Sequence, residues 1–253
     1  MSAPPAARVV LRYEVPRTRP DWTLPSSAEG ACVGTSEPVP ESQPHDQTVD
    51  LLKALLLHWV ERTGRSSQVA RNLAVRWDAS QPNVGFDPDL CLIEPRTPEG
   101  DELESLCTWR PGHTPPRLAV EIVSSKAKKD YAQSPDKCAA AGVEELWVFD
   151  AKLVGPRSGG GPHRIQVWRR RAQGNGEFER VYAGEGPAWS ELTSAWLFAV
   201  DEGRRLRPAE DREGDRWWMT AKEAALAAEA RERAAKEAAL ARIADLEAQL
   251  AKR

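Results

Sequence analysis

What this chain lacks narrows it first. No run approaches the about 18 consecutive apolar residues of a membrane-spanning helix, and the N-terminus has no charged-then-apolar leader. The expectation is a soluble, cytoplasmic protein without a membrane partner. The four cysteines, Cys32, Cys91, Cys107 and Cys138, form no CxxC pair, so their spacing indicates neither a zinc site nor a disulfide framework. The glycine-rich stretch 155–161 is not followed by GK, which excludes a phosphate loop of the GxxxxGK type. No GxSxG elbow is present and the four histidines are scattered, which disfavours a serine-hydrolase triad. Positive charge is not in excess either. Lys and Arg number 35 against 38 Asp and Glu, a net charge of −3 that argues against a broad basic surface.

What is present centres on residues 84–150. Strand-like Leu90-Cys91-Leu92-Ile93 is entered through Asp87-Pro88-Asp89, where Pro88 fixes its own φ and biases Asp87 to an extended conformation. In the run 118–123, Leu118, Val120 and Ile122 point one way and Ala119, Glu121 and Val123 the other, because strand side chains alternate with period two. Glu121 thus sits among carbon. Burying its charge costs several kcal/mol unless a cation or hydrogen-bond donors compensate it, and a bound metal ion is one such compensation. A basic turn, Ser124 to Asp130, leads into a helical stretch that Gly142 ends as a left-handed cap, and Glu145 to Asp150 forms a third strand. Strand, helix, strand implies a parallel or mixed sheet. Two acids on adjacent strands beside a lysine make an Mg²⁺ site.

These residues carry a resemblance. Pro88-Asp89, then Val120-Glu121-Ile122-Val123-Ser124, Asp130, Ala140 to Val143 and Glu145 to Asp150, in that order, resemble the Uma-two family of restriction endonucleases within the PD-(D/E)XK nuclease superfamily. The resemblance spans roughly residues 45–200. It implies a metal-dependent nuclease acting on nucleic acid, DNA before RNA. Asp89 and Glu121 would be the two acids that hold Mg²⁺, or Mn²⁺, with the Ile122 carbonyl as a third ligand. His45 matches a histidine at the family's first helix and would contact the substrate, as would Ser124, Lys128 and Lys129. Two positions depart from the pattern. Val123 stands where the superfamily has its lysine, and Ser134 where relatives carry one on the following helix. The lysine role then falls to Lys137, seven residues after Asp130 and about 700° further round a continuous helix, or to the turn, with Lys126 first among its lysines. Pro135 favours a shorter helix that begins at Ser134-Pro135.

The remaining chain frames this centre. Prolines at 16, 20, 25, 38, 40 and 44 keep residues 1–44 from forming a continuous helix, apart from a short strand near Arg8 to Tyr13. From His45 to Arg62, Val49, Leu52, Leu55, Leu56, Trp59 and Val60 recur at helical spacing. Leu73, Val75 and Trp77 alternate as a strand expected to pair with the Asp89 strand as a hairpin. Residues 94–117 read as a solvent loop. Strands at Arg164 to Arg169 and Phe178 to Tyr182 flank an Asn175-Gly176 turn, and Trp189, Trp196, Leu197 and Phe198 supply an apolar edge.

The C-terminus changes character. Thr220-Ala221-Lys222-Glu223 is a capping box, and no Gly or Pro follows it. The hexamer Ala-Lys-Glu-Ala-Ala-Leu occurs at 221–226 and again at 235–240. Leu240, Ile243 and Leu250 keep an a/d rhythm that Arg233 and Glu247 interrupt, so the segment is either a weak coiled coil joining a homodimer or a solvated single helix. The fold expected is α/β, a restriction-endonuclease-like mixed sheet flanked by helices with a long C-terminal helix. Its parts are a Pro-rich segment 1–44, a nuclease-like domain 45–203, a linker 204–219 and a helix 220–253. The alternative function is a catalytically silent nuclease-like scaffold that binds a partner through that helix.

Overall fold

The computed structural model describes residues 43–124, 129–157, 161–171 and 177–251, with Trp22 and the backbone of Val10, Leu11 and Lys129. The expectations for Tyr13 and for the Asn175-Gly176 turn lie outside these. In chain order the elements are β1 (Val10–Leu11), α1 (Gln43–Thr63), β2 (Gln68–Arg71), β3 (Ala74–Arg76), β4 (Gly85–Phe86), β5 (Leu90–Ile93), β6 (Ser105–Cys107) and β7 (Leu118–Ile122). A π-helical turn (Lys129–Gln133) then leads into α2 (Ser134–Ala141). There follow β8 (Glu145–Phe149), β9 (Ile165–Arg170), β10 (Phe178–Gly184), β11 (Ala188–Ser190), β12 (Ala195–Val200), β13 (Arg205–Ala209) and α3 (Ala221–Leu250).

A seven-stranded mixed sheet, ordered β1-β10-β9-β8-β7-β5-β2, organises the first of two compact units, Met1–Trp218. Only β7 and β8 run parallel, as a strand, helix, strand connection through α2 requires. The period-two alternation sorts the core. Leu90, Leu92, Leu118, Val120 and Ile122 pack with the Val49, Leu52, Leu55 and Leu56 stripe of α1, whereas Cys91, Ile93, Ala119 and Val123 face the side of α2. Each of those α1 leucines is fully buried, and such burial stabilises by about 1.5–3 kcal/mol per side chain. The inner residues Leu197 and Leu206 of the β11-β12-β13 sheet close the α1 side, where Trp218 stacks on Trp59 at 5.4 Å between ring centroids.

Several expectations change. The partner of β5 is β2, in register Val69 to Leu92 and Ala70 to Cys91; β3 instead joins β4 and β6 in a separate small sheet. Alternation identifies a strand but does not choose its neighbour, and both candidates precede β5 in the sequence. Residues 94–117 are not a solvent loop. They carry the buried strand β6 and buried His113, whose Nδ1 accepts the Cys107 amide at 3.2 Å while Nε2 bonds to Glu99 at 3.0 Å. Cys107 is disulfide-bonded, a pairing that the scattered cysteines do not announce. The 204–219 stretch, expected as a linker, contains β13 and Trp218.

The second unit, Met219–Arg253, is α3, a 30-residue helix with no buried side chain. Its start is as expected. Thr220 Oγ1 accepts the Glu223 amide at 3.2 Å and the Glu223 carboxylate accepts the Thr220 amide at 2.8 Å. Thr220→Ala removes half of this box and is expected to cost about 1 kcal/mol of helix stability, seen as earlier melting of the helical circular-dichroism signal.

Candidate active site

The site begins with strand pairing. Antiparallel β5 and β7 register Leu90 opposite Val120 and Cys91 opposite Ala119. Asp89 immediately precedes β5 and Glu121 follows Val120 in β7, so the two acids lie at the same end of adjacent strands. Both are buried, at 8% and 2% exposure.

Asp89 is held by two donors. Its Oδ2 accepts the Ile122 amide at 2.6 Å and lies 3.2 Å from His45 Nε2. His45 reaches it from the first turn of α1, itself buried by that helix's packing on the sheet. Both bonds fall on one oxygen, Oδ2; among the described residues Oδ1 accepts none. Ile122, expected to offer its carbonyl, contributes its N–H to this arrangement.

Glu121 is approached from the helix. The Ser124 amide donates to Asp130 Oδ2 at 3.0 Å, tying the end of the crossover to the strand that precedes it. The π-helical turn then continues directly into α2, which starts at Ser134 with Pro135 in its first turn, where a missing N–H is harmless. Ser134 Oγ donates to Glu121 Oε1 at 2.9 Å. Lys137 lies three residues on, hence on the same helix face, and is 6% exposed. Glu121 and Lys137 both act on the neighbouring Cys138 thiol. Its pKa is pushed well above the usual range first by burial and then by the Glu121 charge, while Lys137 pulls it down. Burial likewise raises Cys91 to about 12. Neither thiol is expected to react with an alkylating reagent at mildly alkaline pH until the protein is denatured, which thiol counting before and after denaturation checks.

Of the remaining candidates, Ser124 is exposed. Lys126 and Lys128 lie outside the described residues, as does the side chain of Lys129. Sequence reasoning missed how the helix is braced. Tyr131 OH donates to Asp150 Oδ2 at 2.9 Å, and Asp150 also accepts amides of Lys152, Val154 and Gly155. Asp150 was legible only as a strand end. Buried Glu145 is likewise accounted for structurally, by Trp147 Nε1, Arg169, Ser190 Oγ and the Glu191 amide.

Among the described residues no cluster of three or more His, Cys, Asp or Glu forms a metal cage. Mg²⁺ does not demand one. It is usually held by one or two carboxylates and keeps several waters, and Asp89 and Glu121, buried acids at the same end of adjacent strands, fit that pattern.

The described helices include none long and apolar enough to cross a membrane. The family model Uma2, described as "Putative restriction endonuclease", matches residues 31–200. A crystal structure from Anabaena variabilis, described as a "putative nuclease belonging to DUF820", is similar at 14% identity and a TM-score of 0.42, over 63% of this chain and 78% of that one. No curated protein matches.

Proposed function

The chain belongs to the Uma2 restriction-endonuclease family, and from that premise we propose that it is a metal-dependent phosphodiesterase that cleaves nucleic acid, DNA in preference to RNA. The observation that supports the reading is the placement of two buried acids, Asp89 and Glu121, at the same end of adjacent strands, one bonded to an amide and an imidazole and the other to Ser134, three residues before buried Lys137.

Asp89, Glu121 and the Ile122 carbonyl would hold the metal. When bound, Mg²⁺ lowers the pKa of coordinated water and stabilises charge on the phosphate. The chain's own groups do the rest. His45 and the Ile122 amide would hold the Asp89 carboxylate in place. Ser134 orients the Glu121 carboxylate. Lys137 supplies the fixed positive charge, one helical turn from the position relatives use, and faces the charge that develops on the phosphoryl oxygens. Lys126, Lys128, Lys129 and Ser124, which follow β7 in the sequence, would draw in the nucleic-acid backbone.

The test is cleavage of supercoiled plasmid, linear duplex and single-stranded DNA and of RNA, each with Mg²⁺, with Mn²⁺ and with chelator. Metal-dependent nicking supports the reading. Absence of cleavage on every substrate supports the second one, a silent scaffold joined to a partner, including a second copy, through α3. That alternative draws on the exposed Leu240, Ile243, Leu246 and Leu250 of α3 and on Ser134 in the lysine position.

A further inference from the structure

We propose that Arg76 is a positioning residue that anchors the Asp87-Pro88-Asp89 segment and so aims the Asp89 carboxylate. The inference rests on reading Asp89 as a site residue. Arg76 ends β3, opposite Gly85 of β4, and its side chain is fully buried. A Cβ on Gly85 would stand 2.3 Å from the Val75 carbonyl oxygen and 2.4 Å from Arg76 Nη1, so only glycine lets the guanidinium lie against β4. Nη1 donates to the Val75 carbonyl at 3.0 Å and to Asp87 Oδ1 at 3.2 Å. Nε and Nη2 find no acceptor among the described residues.

This is an expensive way to fill a core. Desolvation pulls the guanidinium pKa below its ordinary value, and the Asp87 charge restores part of it. An apolar residue of similar size would be more stabilising there. What the arginine adds is a grip on one carboxylate, and that carboxylate opens the segment carrying Asp89. Pro88 between them has a fixed φ, so restraint at Asp87 passes to Asp89 with little slack. Asp89 in turn must meet the Ile122 amide at 2.6 Å.

That amide reports the geometry without metal. In ¹⁵N-labelled full-length protein, Asp87→Asn is expected to shift the Ile122 amide proton upfield, as its bond to Asp89 lengthens, with the fold retained. Mn²⁺ affinity should fall about tenfold, the usual cost of disturbing a group behind a metal ligand. Arg76→Lys, which keeps the charge but not the planar fork, should move the same resonance. If Arg76→Lys fails to fold, Asp87→Asn decides alone. An Ile122 amide unmoved in folded Asp87→Asn overturns the proposal and leaves Arg76 a purely structural residue. Should the wild type take up no Mn²⁺, the metal reading of Asp89 fails, while the Ile122 resonance still decides the positioning role.

Discussion

Glu121→Gln is expected to abolish Mn²⁺ uptake, in a titration followed through the paramagnetic signal of the free ion, and to lower metal-dependent phosphodiester cleavage about a thousandfold. The magnitude follows from the several kcal/mol that a correctly held divalent ion contributes to a phosphoryl transition state, at 1.4 kcal/mol, roughly, per factor of ten. Glutamine keeps the shape of the side chain and an acceptor for Ser134 Oγ, which lies 2.9 Å from Glu121 Oε1. The fold therefore survives and the loss is chemical. Asp89→Asn should behave alike, since an amide can still accept the Ile122 N–H but brings no charge to the metal. Uptake by wild type and both variants alike would remove these carboxylates as ligands. No uptake by any of the three, even at millimolar metal, would favour the partner-binding scaffold.

Lys137→Met separates binding from catalysis. Metal uptake is expected to persist, because the carboxylates remain, while cleavage falls about 10²–10³-fold, the range seen when one group that stabilises transition-state charge is removed. Lys137 is 6% exposed and, like buried Glu121, acts on Cys138, so removing its ammonium takes a compensating charge from a buried acid and the unfolding midpoint is expected to fall. Cleavage is compared at temperatures below that midpoint, where the variant is folded. Unchanged cleavage would transfer the role to Lys126, Lys128 or Lys129, which precede the helix in the sequence.

Local order in the sequence determined a good deal. The 3.6-residue recurrence of Val49, Leu52, Leu55, Leu56 and Trp59 predicted α1, and the alternation through 118–123 placed Glu121 on the face opposite Leu118, Val120 and Ile122, as the two core clusters show. Gly142 is the left-handed cap, at φ 90°, and Thr220 with Glu223 starts α3. Each of these depends on neighbours within a few residues, which is the reach of periodicity and capping. The order of the motifs was sufficient to indicate the family.

Tertiary structure alone decided who meets whom. His45 and Asp89 are 44 residues apart, and Ser134 meets Glu121 across 13. Nothing local distinguishes a histidine at a helix start that bonds a carboxylate from one that bonds water. The choice of β2 over β3 as partner of β5 turned on which strand could complete the large sheet, a competition between surfaces that no single segment encodes. Arg76 reads in sequence as an ordinary charge beside Trp77, and only the close approach of Gly85 shows it confined and bonded to Asp87. Sequence specifies elements through short-range dihedral and burial preferences. The site exists only where long-range packing brings their ends together, because hydrogen bonds and ion pairs act over a few ångströms of space and take no account of separation along the chain.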